Sequence, residues 1–194
     1  MPHNVFLALP LPIKLALPLS RARRYFIHDT AGLDWQGIDD MHVTLYFFGE
    51  TRDIQLVELK KQIGKTTSEI ERLKLRYECI TFALPGRVPK IIWAEFTATD
   101  AYRFFVHELS NIGFSIAGIK PPHKDIIPHA TLARIRTPEE ISLDDVSRVE
   151  RIESQLGVPD LSAREYLVTY CDLLVSRPAA SGSRYELLER FYFK

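Results

Sequence analysis

The chain has few cysteines, no excess of charge of either sign and no long apolar run. Its two cysteines, Cys79 and Cys171, are far apart and form no C-x-x-C pair, so the sequence predicts neither a disulfide framework nor a zinc site. The 25 basic and 25 acidic residues give a formal net charge of zero. Proteins that bind long nucleic acids through many phosphates need a basic surface, so the neutral charge argues against that class and leaves open a ligand contacted at one or two phosphates.

The sequence also offers nothing that predicts a membrane protein. No apolar stretch approaches the roughly 20 residues that span a bilayer, and the apolar start, residues 1–12, has no basic segment before it, as a secretory signal would. We therefore expect a cytoplasmic protein. A length of 194 residues with 46% apolar and 26% charged residues is typical of one globular domain, and we expect residues 1–194 to form it.

Hydrophobic periodicity and turn residues divide the chain mostly into strands, with single helices between them. The predicted strands are residues 4–9, 41–48, 73–81, 91–97, 114–119, 129–135, 165–176 and 185–193, and the predicted helices are 13–28, 51–73, 100–112 and 137–156. Gly49 is expected to end a strand, and Gly113 is expected just after a helix. This order favours an α+β layered fold.

One short phrase occurs twice, as His42-Val43-Thr44-Leu45 and as His129-Ala130-Thr131-Leu132, each time in a predicted strand. Because side chains at i and i+2 leave the same face of a strand, each histidine shares a face with a threonine. The same alternation places Tyr46 on the face of His42, and Ala133 on the face of His129. If the fold brings both copies together, two imidazoles and two hydroxyls surround one pocket.

Such a pocket suits in-line displacement at phosphorus, which needs one base and one acid placed apart. An ordinary histidine pKa of about 6.5 makes both protonation states accessible near neutrality, and the hydroxyls can bind the non-bridging oxygens. A single histidine on a strand is more often structural, so the hypothesis depends on the pairing. His123 lies near His129, but no Asp or Glu has a ligand-like spacing on the two strands, and no metal is expected.

With its flanking residues the doubled motif resembles the two-histidine phosphoesterase superfamily, in particular the bacterial and archaeal RNA 2′,3′-cyclic phosphodiesterases, also called 2′-5′ RNA ligases. The segments that carry the resemblance are residues 5–12, 41–50, 87–93, 128–134 and 183–185. The resemblance implies a bilobal α+β fold, in which two antiparallel sheets are flanked by helices and the active cleft lies between the lobes. It also implies metal-independent, cofactor-free hydrolysis of 2′,3′-cyclic phosphate ends of RNA or nucleotides to 2′-phosphates by a monomer.

The resemblance also implies a role for five residues. His42 corresponds to the general acid that protonates the leaving 3′ oxygen, and His129 to the general base that activates water. Thr44 and Thr131 correspond to phosphate binders, and Arg134 to an arginine that neutralises the phosphate. Strict alternation puts Arg134 on the face opposite His129, so we expect a bulge or a strand end to redirect it.

Several alternatives stay open at this stage. A related enzyme could act on a cyclic phosphate of ADP-ribose or on 2′-5′ oligonucleotides with the same motif chemistry, and a binding module could hold a nucleotide phosphate without turnover. Reverse 2′-5′ ligation is allowed by microscopic reversibility, although hydrolysis dominates in dilute water. Arg23, Arg24 and Lys124 are candidates for contact with a nucleotide chain, whereas surface charges are usually only solvated.

Overall fold

The computed structural model describes residues 3–26, 32–83, 90–119, 127–136, 165–179 and 182–194. The strands in these ranges are β1 (His3–Pro10), β2 (Leu33–Trp35), β3 (His42–Thr51), β4 (Leu73–Ala83), β5 (Ile91–Phe96), β6 (His129–Ile135), β7 (Glu165–Val168), β8 (Tyr170–Ala179) and β9 (Gly182–Tyr192). The helices are α1 (Ile13–Ser20), α2 (Asp53–Glu69) and α3 (Asp100–Ala117), with short 3-10 helices at Arg21–Phe26 and Ile38–Asp40. Antiparallel strands with single helices between them agree with the predicted α+β class.

The strands are hydrogen-bonded in the order β7-β4-β5-β6-β3-β1-β8-β9, with β2 added to β6. The two strands that carry the repeated motif, β3 and β6, are neighbours at the middle of this order and are antiparallel. Their ladder is short, because the paired residues are Val43 and Ala130. Beyond this pair β6 bonds to β2 through residues 133–135, so the two motif strands diverge.

Each motif strand carries a β-bulge at the same place in the motif. In the β1–β3 ladder Leu7 pairs with Tyr46 and Ala8 with Thr44, which leaves Leu45 as the extra residue. The β5–β6 ladder likewise leaves Leu132 as the extra residue. The alternation of buried and partly exposed residues therefore breaks identically over residues 42–48 and 129–135, as expected for a bulge.

The core lies on the face of β3 and β6 away from the histidines. Val43, Leu45, Ala130 and Leu132 have no exposed surface, and their packing fixes both motif strands. Helix α3 packs on β3 and on α2, and α2 packs on β9. No helix within the described ranges is long and apolar enough to cross a membrane.

Helix α3 is longer than predicted, and the predicted strand at 114–119 is wrong. The helix continues to Ala117 and ends at Gly118, which has a left-handed φ of 69° and so takes the role of the terminating glycine. Gly113 lies inside the helix for a packing reason. A Cβ there would be 2.6 Å from Cε1 of Tyr46, so only glycine allows the close approach of α3 to β3.

Other element boundaries also differ from the prediction. Strand β3 continues through Gly49, at φ 60°, to Thr51, so Thr51 is a strand residue and α2 begins at Asp53. Helix α1 ends at Ser20 and is followed by a 3-10 helix. The short strand β2 lies in a segment predicted as a loop. The predicted helix at 137–156 lies outside the described residues.

Two glycine substitutions in helices test this packing. Gly64→Ala in α2 places a Cβ at an ordinary 3.6 Å from Phe191, and the higher helix propensity of alanine should stabilise the protein by up to about 1 kcal/mol. Gly113→Ala has the same propensity gain but collides with Tyr46, at a cost of about 1–3 kcal/mol. We expect urea unfolding to rank Gly113→Ala below Gly64→Ala by that amount, and equal stabilities would contradict the contact.

Candidate active site

The two motifs face one cavity of about 320 Å³ on the open side of the β3–β6 junction. All five residues singled out by the sequence line this cavity: His42, Thr44, His129, Thr131 and Arg134. They come from two strands, β3 and β6, that are more than 70 residues apart in the chain. Further lining residues are contributed by β1, β8, β9 and the segment around Gln36.

The register of the β3–β6 pair places the motifs around a local two-fold axis. Because Val43 pairs with Ala130, continuing the antiparallel register sets His42 across from Thr131 and Thr44 across from His129. The two histidines are then diagonal neighbours, which in a regular sheet lie about 7–8 Å apart. Both rings line the same cavity, and His129 is close enough to His42 to lower its pKa.

Both histidines are oriented by the same backbone contact. Nδ1 of His42 donates a hydrogen bond to the carbonyl oxygen of Asp40 at 2.7 Å, and Nδ1 of His129 donates one to the carbonyl oxygen of Ile127 at 2.8 Å. A carbonyl only accepts, so Nδ1 carries the proton in each ring. Nε2 is therefore the nitrogen that can take a proton from a ligand or give one to it.

His42 lies in an aromatic environment. Its ring centroid is 5.4 Å from that of Phe6, and the ring meets Tyr185 edge-on at 5.1 Å. Burial lowers the pKa of His42, the carbonyl and the charge of Asp40 raise it, and the nearby Arg134 and His129 lower it again. The net effect favours a neutral imidazole in the free protein.

His129 has a different environment. Its ring centroid is 4.1 Å from that of Trp93, and the indole Nε1 donates to Oε1 of Glu95 at 2.9 Å. Glu95 pairs with His129 across the β5–β6 ladder. Burial lowers the pKa of His129, whereas the carbonyl of Ile127 and the charge of Glu95 raise it.

The bulge at Leu132 explains how Arg134 reaches the cavity. Without the extra residue, Arg134 would lie on the face opposite His129, but the bulge reverses the alternation after Thr131. Arg134 is exposed and lines the cavity. No carboxylate in the described part of the chain forms an ion pair with it, whereas its neighbour Arg136 contacts Asp34 at 3.3 Å.

The same bulges overturn two predicted orientations. Tyr46 does not share the exposed face of His42, because its ring is buried beneath Gly113 and only 3% exposed. Phe47 takes its place on the open face and contacts Phe6 at 5.4 Å. Ala133 is fully buried rather than beside His129.

The sequence analysis missed four neighbours of the histidines. Phe6, Tyr185, Trp93 and Glu95 lie on other strands, and only the strand pairing brings them to the rings. Trp93 and Glu95 alternate at i and i+2 on β5, so they share a face, which is the one signal that could have found them. Among the described residues no group of three or more His, Cys, Asp or Glu is placed to hold a metal ion.

Replacing Glu95 tests its effect on His129. In Glu95→Gln the amide oxygen can still accept from the Trp93 indole, but the negative charge is removed. We expect the pKa of His129, measured by NMR titration of the imidazole, to fall below its value in the parent protein, while that of His42 stays unchanged. Glu50→Gln, at the exposed end of β3, is the matched control, and an unchanged His129 titration in Glu95→Gln would contradict the interaction.

Comparisons with known proteins find relatives in sequence and solved structures with the same fold. No family model matches the chain. The chain is 22% identical over 165 residues to an RNA 2′,3′-cyclic phosphodiesterase of Aquifex aeolicus, and the match covers 81% of this chain and 80% of that protein. Its fold matches the crystal structure of TT0787 of Thermus thermophilus, with a TM-score of 0.77, 19% identity and coverage of 98% and 97%.

A second solved structure with this fold is that of Escherichia coli LigT in complex with 3′-AMP. The TM-score is 0.72 and the identity 20%, over 100% of this chain and 99% of that one. These matches confirm the resemblance predicted from the motif. In sequence the chain is similar to proteins named RNA 2′,3′-cyclic phosphodiesterase, and in fold it is similar to TT0787 and LigT.

Proposed function

We propose that this protein hydrolyses the 2′,3′-cyclic phosphate ends of RNA or nucleotides to 2′-phosphates, without a metal or another cofactor. The observation that carries the proposal is the pair of histidines that line one cavity, each with Nδ1 bound to a carbonyl two residues before it. The activity named for the Aquifex relative supplies the substrate class. The five site residues belong to one chain, so the site needs no second copy and the protein acts as a monomer.

Neutral His129 removes a proton from water through Nε2, and the water oxygen attacks the phosphorus. The bond between phosphorus and the 3′ oxygen breaks, and protonated His42 donates its Nε2 proton to the departing oxygen. The products are a 2′-phosphate monoester and a free 3′ hydroxyl. One proton is taken and one is given, so the two histidines exchange protonation states and bulk water restores them.

The remaining site residues act on the charge that develops at phosphorus. Thr44 and Thr131 donate hydrogen bonds to the non-bridging oxygens. Each threonine faces the histidine of the other motif across the boundary between β3 and β6. The guanidinium of Arg134 neutralises the phosphate and adds charge-assisted hydrogen bonds. The pocket walls, rather than the histidines, then discriminate an RNA end from a cyclic phosphate of ADP-ribose or a 2′-5′ linkage.

We also propose that residues 1–194 work as one domain of two lobes. Strands β1, β3, β8 and β9 belong to the lobe of His42, and β2, β4, β5, β6 and β7 to the lobe of His129. The short ladder at Val43 and Ala130 is then the boundary, and the cavity is the cleft between the lobes. Reverse 2′-5′ ligation would use the same cleft, with a 5′ hydroxyl in place of water on the His129 side.

Alanine variants of the two histidines test the function. With chelator-treated protein and 2′,3′-cyclic mononucleotides, we expect turnover by the parent and a loss of about 10²–10⁴-fold in kcat for both His42→Ala and His129→Ala. His107→Ala, an exposed histidine on α3, is the matched control and should keep parental activity. Tight binding of the cyclic nucleotide with no product from the parent would instead identify a binding module.

A sulfur-substituted substrate separates the two roles. When sulfur replaces the 3′ bridging oxygen, the departing thiolate needs no protonation. His42→Ala should therefore lose much less activity on this substrate than on the oxygen substrate. His129→Ala should lose the same fraction of its activity on both substrates. If kcat showed the reverse pattern, His129 would be the acid and His42 the base.

The pH dependence follows from the lowered histidine pKa values. Hydrolysis needs one neutral and one protonated imidazole, so the rate falls on the acid side as the base gains a proton and on the alkaline side as the acid loses one. Burial lowers both pKa values from 6.5, so the bell-shaped profile of kcat/KM should be centred below pH 6.5. A profile of kcat/KM centred above pH 7 would contradict this.

A further inference from the structure

A second cavity, of about 310 Å³, lies beside the catalytic one and carries three arginines: Arg21, Arg23 and Arg24. We name it the arginine cavity. Trp35, Gln36 and Leu17 also line it, and no acidic side chain of the described residues does. Three positive charges therefore share one concave surface on a chain whose formal net charge is zero.

The arginines are held in place by the core. They lie at the end of α1 and in the 3-10 helix that follows, where Leu19 and Ala22 are fully buried. This anchoring leaves Arg21, Arg23 and Arg24 on the exposed side. Within the described ranges none of the three forms an ion pair with a carboxylate, so their guanidinium groups are available to an anion.

The arginine cavity adjoins the catalytic cavity. Gln36 lines both, and its backbone nitrogen donates to the carbonyl oxygen of Leu132 at 2.8 Å. Leu132 is the bulge residue of the motif strand. The arginines are thus fixed relative to the pocket that holds the histidines.

We propose that the arginine cavity binds the single-stranded RNA that precedes the cyclic phosphate end. This inference rests on the proposed function and names its substrate as an oligonucleotide. Guanidinium groups bind phosphate oxygens in bidentate geometry. The phosphates on the 5′ side of the terminal nucleotide leave the catalytic cavity past Gln36 and meet the arginines.

This surface fits RNA better than it fits an acidic protein segment. The arginine cavity adjoins the proposed site for one phosphate, and a nucleic acid strand presents further phosphates at a regular spacing. A carboxylate-rich peptide has no group equivalent to the cyclic phosphate that would place its end beside the histidines. The neutral overall charge is compatible, because a short RNA end needs only a few phosphate contacts.

The test compares the Arg21→Ala/Arg23→Ala/Arg24→Ala triple variant with the parent on two substrates. For a 2′,3′-cyclic mononucleotide, kcat/KM should be unchanged, because the catalytic cavity is intact. For a short RNA with a cyclic phosphate end, kcat/KM should fall about tenfold or more at low salt. Equal losses on both substrates, or no loss on the RNA, would overturn the proposal.

Salt dependence gives a second readout. Each phosphate contact of a single strand adds about 0.7 to the slope of log affinity against log salt concentration. The parent should therefore lose about 20-fold more affinity for the RNA than the triple variant does over a fourfold rise in salt. A triple Arg→Lys variant should keep the parental slope, since lysine also neutralises a phosphate.

A charge-matched control removes three cations elsewhere. Lys61, Lys65 and Arg72 are exposed, on α2 and just before β4, and line neither cavity. Their triple alanine variant has the same net charge as the arginine variant and should bind and hydrolyse the RNA like the parent. If this control variant loses as much RNA binding and hydrolysis as the arginine variant, the effect comes from overall charge and the proposal fails.

Direct binding separates this proposal from the proposed function. Fluorescence anisotropy of a short RNA ending in a 2′-phosphate needs no turnover, so it applies even if the parent hydrolyses nothing. Binding by the parent and its loss in the arginine variant, with unchanged thermal unfolding, would support the RNA surface. Absence of RNA binding by the parent, or binding of poly-glutamate in its place, would overturn it.

Discussion

The pairing of Val43 with Ala130 is the constraint on which the candidate site depends. These residues lie at the second position of the two motifs, and both are fully buried. Val43 and Ala130 point into the core, so the histidines and threonines beside them point to the other face of the sheet. Because the two strands are antiparallel, these four side chains line one cavity where β3 meets β6. The strands then diverge, and the space between them is the cavity. A shift of one of these strands by one residue would turn its histidine and its threonine into the core.

The repeated bulge gives β3 and β6 the same backbone course, but it brings different side chains to the cavity from each strand. Leu45 and Leu132 are the extra residues, and each reverses the alternation immediately after the motif. On β3 the bulge presents Phe47 to the open face, beside the aromatic cluster of His42. On β6 it presents Arg134. After the bulge, one strand therefore presents an aromatic side chain to the cavity and the other presents a guanidinium group.

Electrostatics further separates two histidines that have equivalent backbone contacts. Burial lowers the pKa of both rings, and a carboxylate opposes it at each, Asp40 at His42 and Glu95 at His129. Arg134 and the other histidine lower the pKa of His42 further. In the free protein these charges favour the protonated form of His129 over that of His42, so the proposed roles require the bound phosphate to draw the proton to His42. Burial favours the neutral form of both rings in the free protein, and a bound phosphate anion would oppose that effect by attracting their protonated forms.

The sequence by itself determined the α+β class, most strands, the two motifs and the five candidate residues, because period-two alternation and a repeated phrase are local signals. It also required a bulge before Arg134, since alternation alone could not place that side chain near His129. Only the tertiary structure decided that α3 passes through Gly113, that Tyr46 is buried beneath it, and that Trp93 and Glu95 lie against His129. Those outcomes depend on packing and strand pairing between distant segments, which no local pattern encodes.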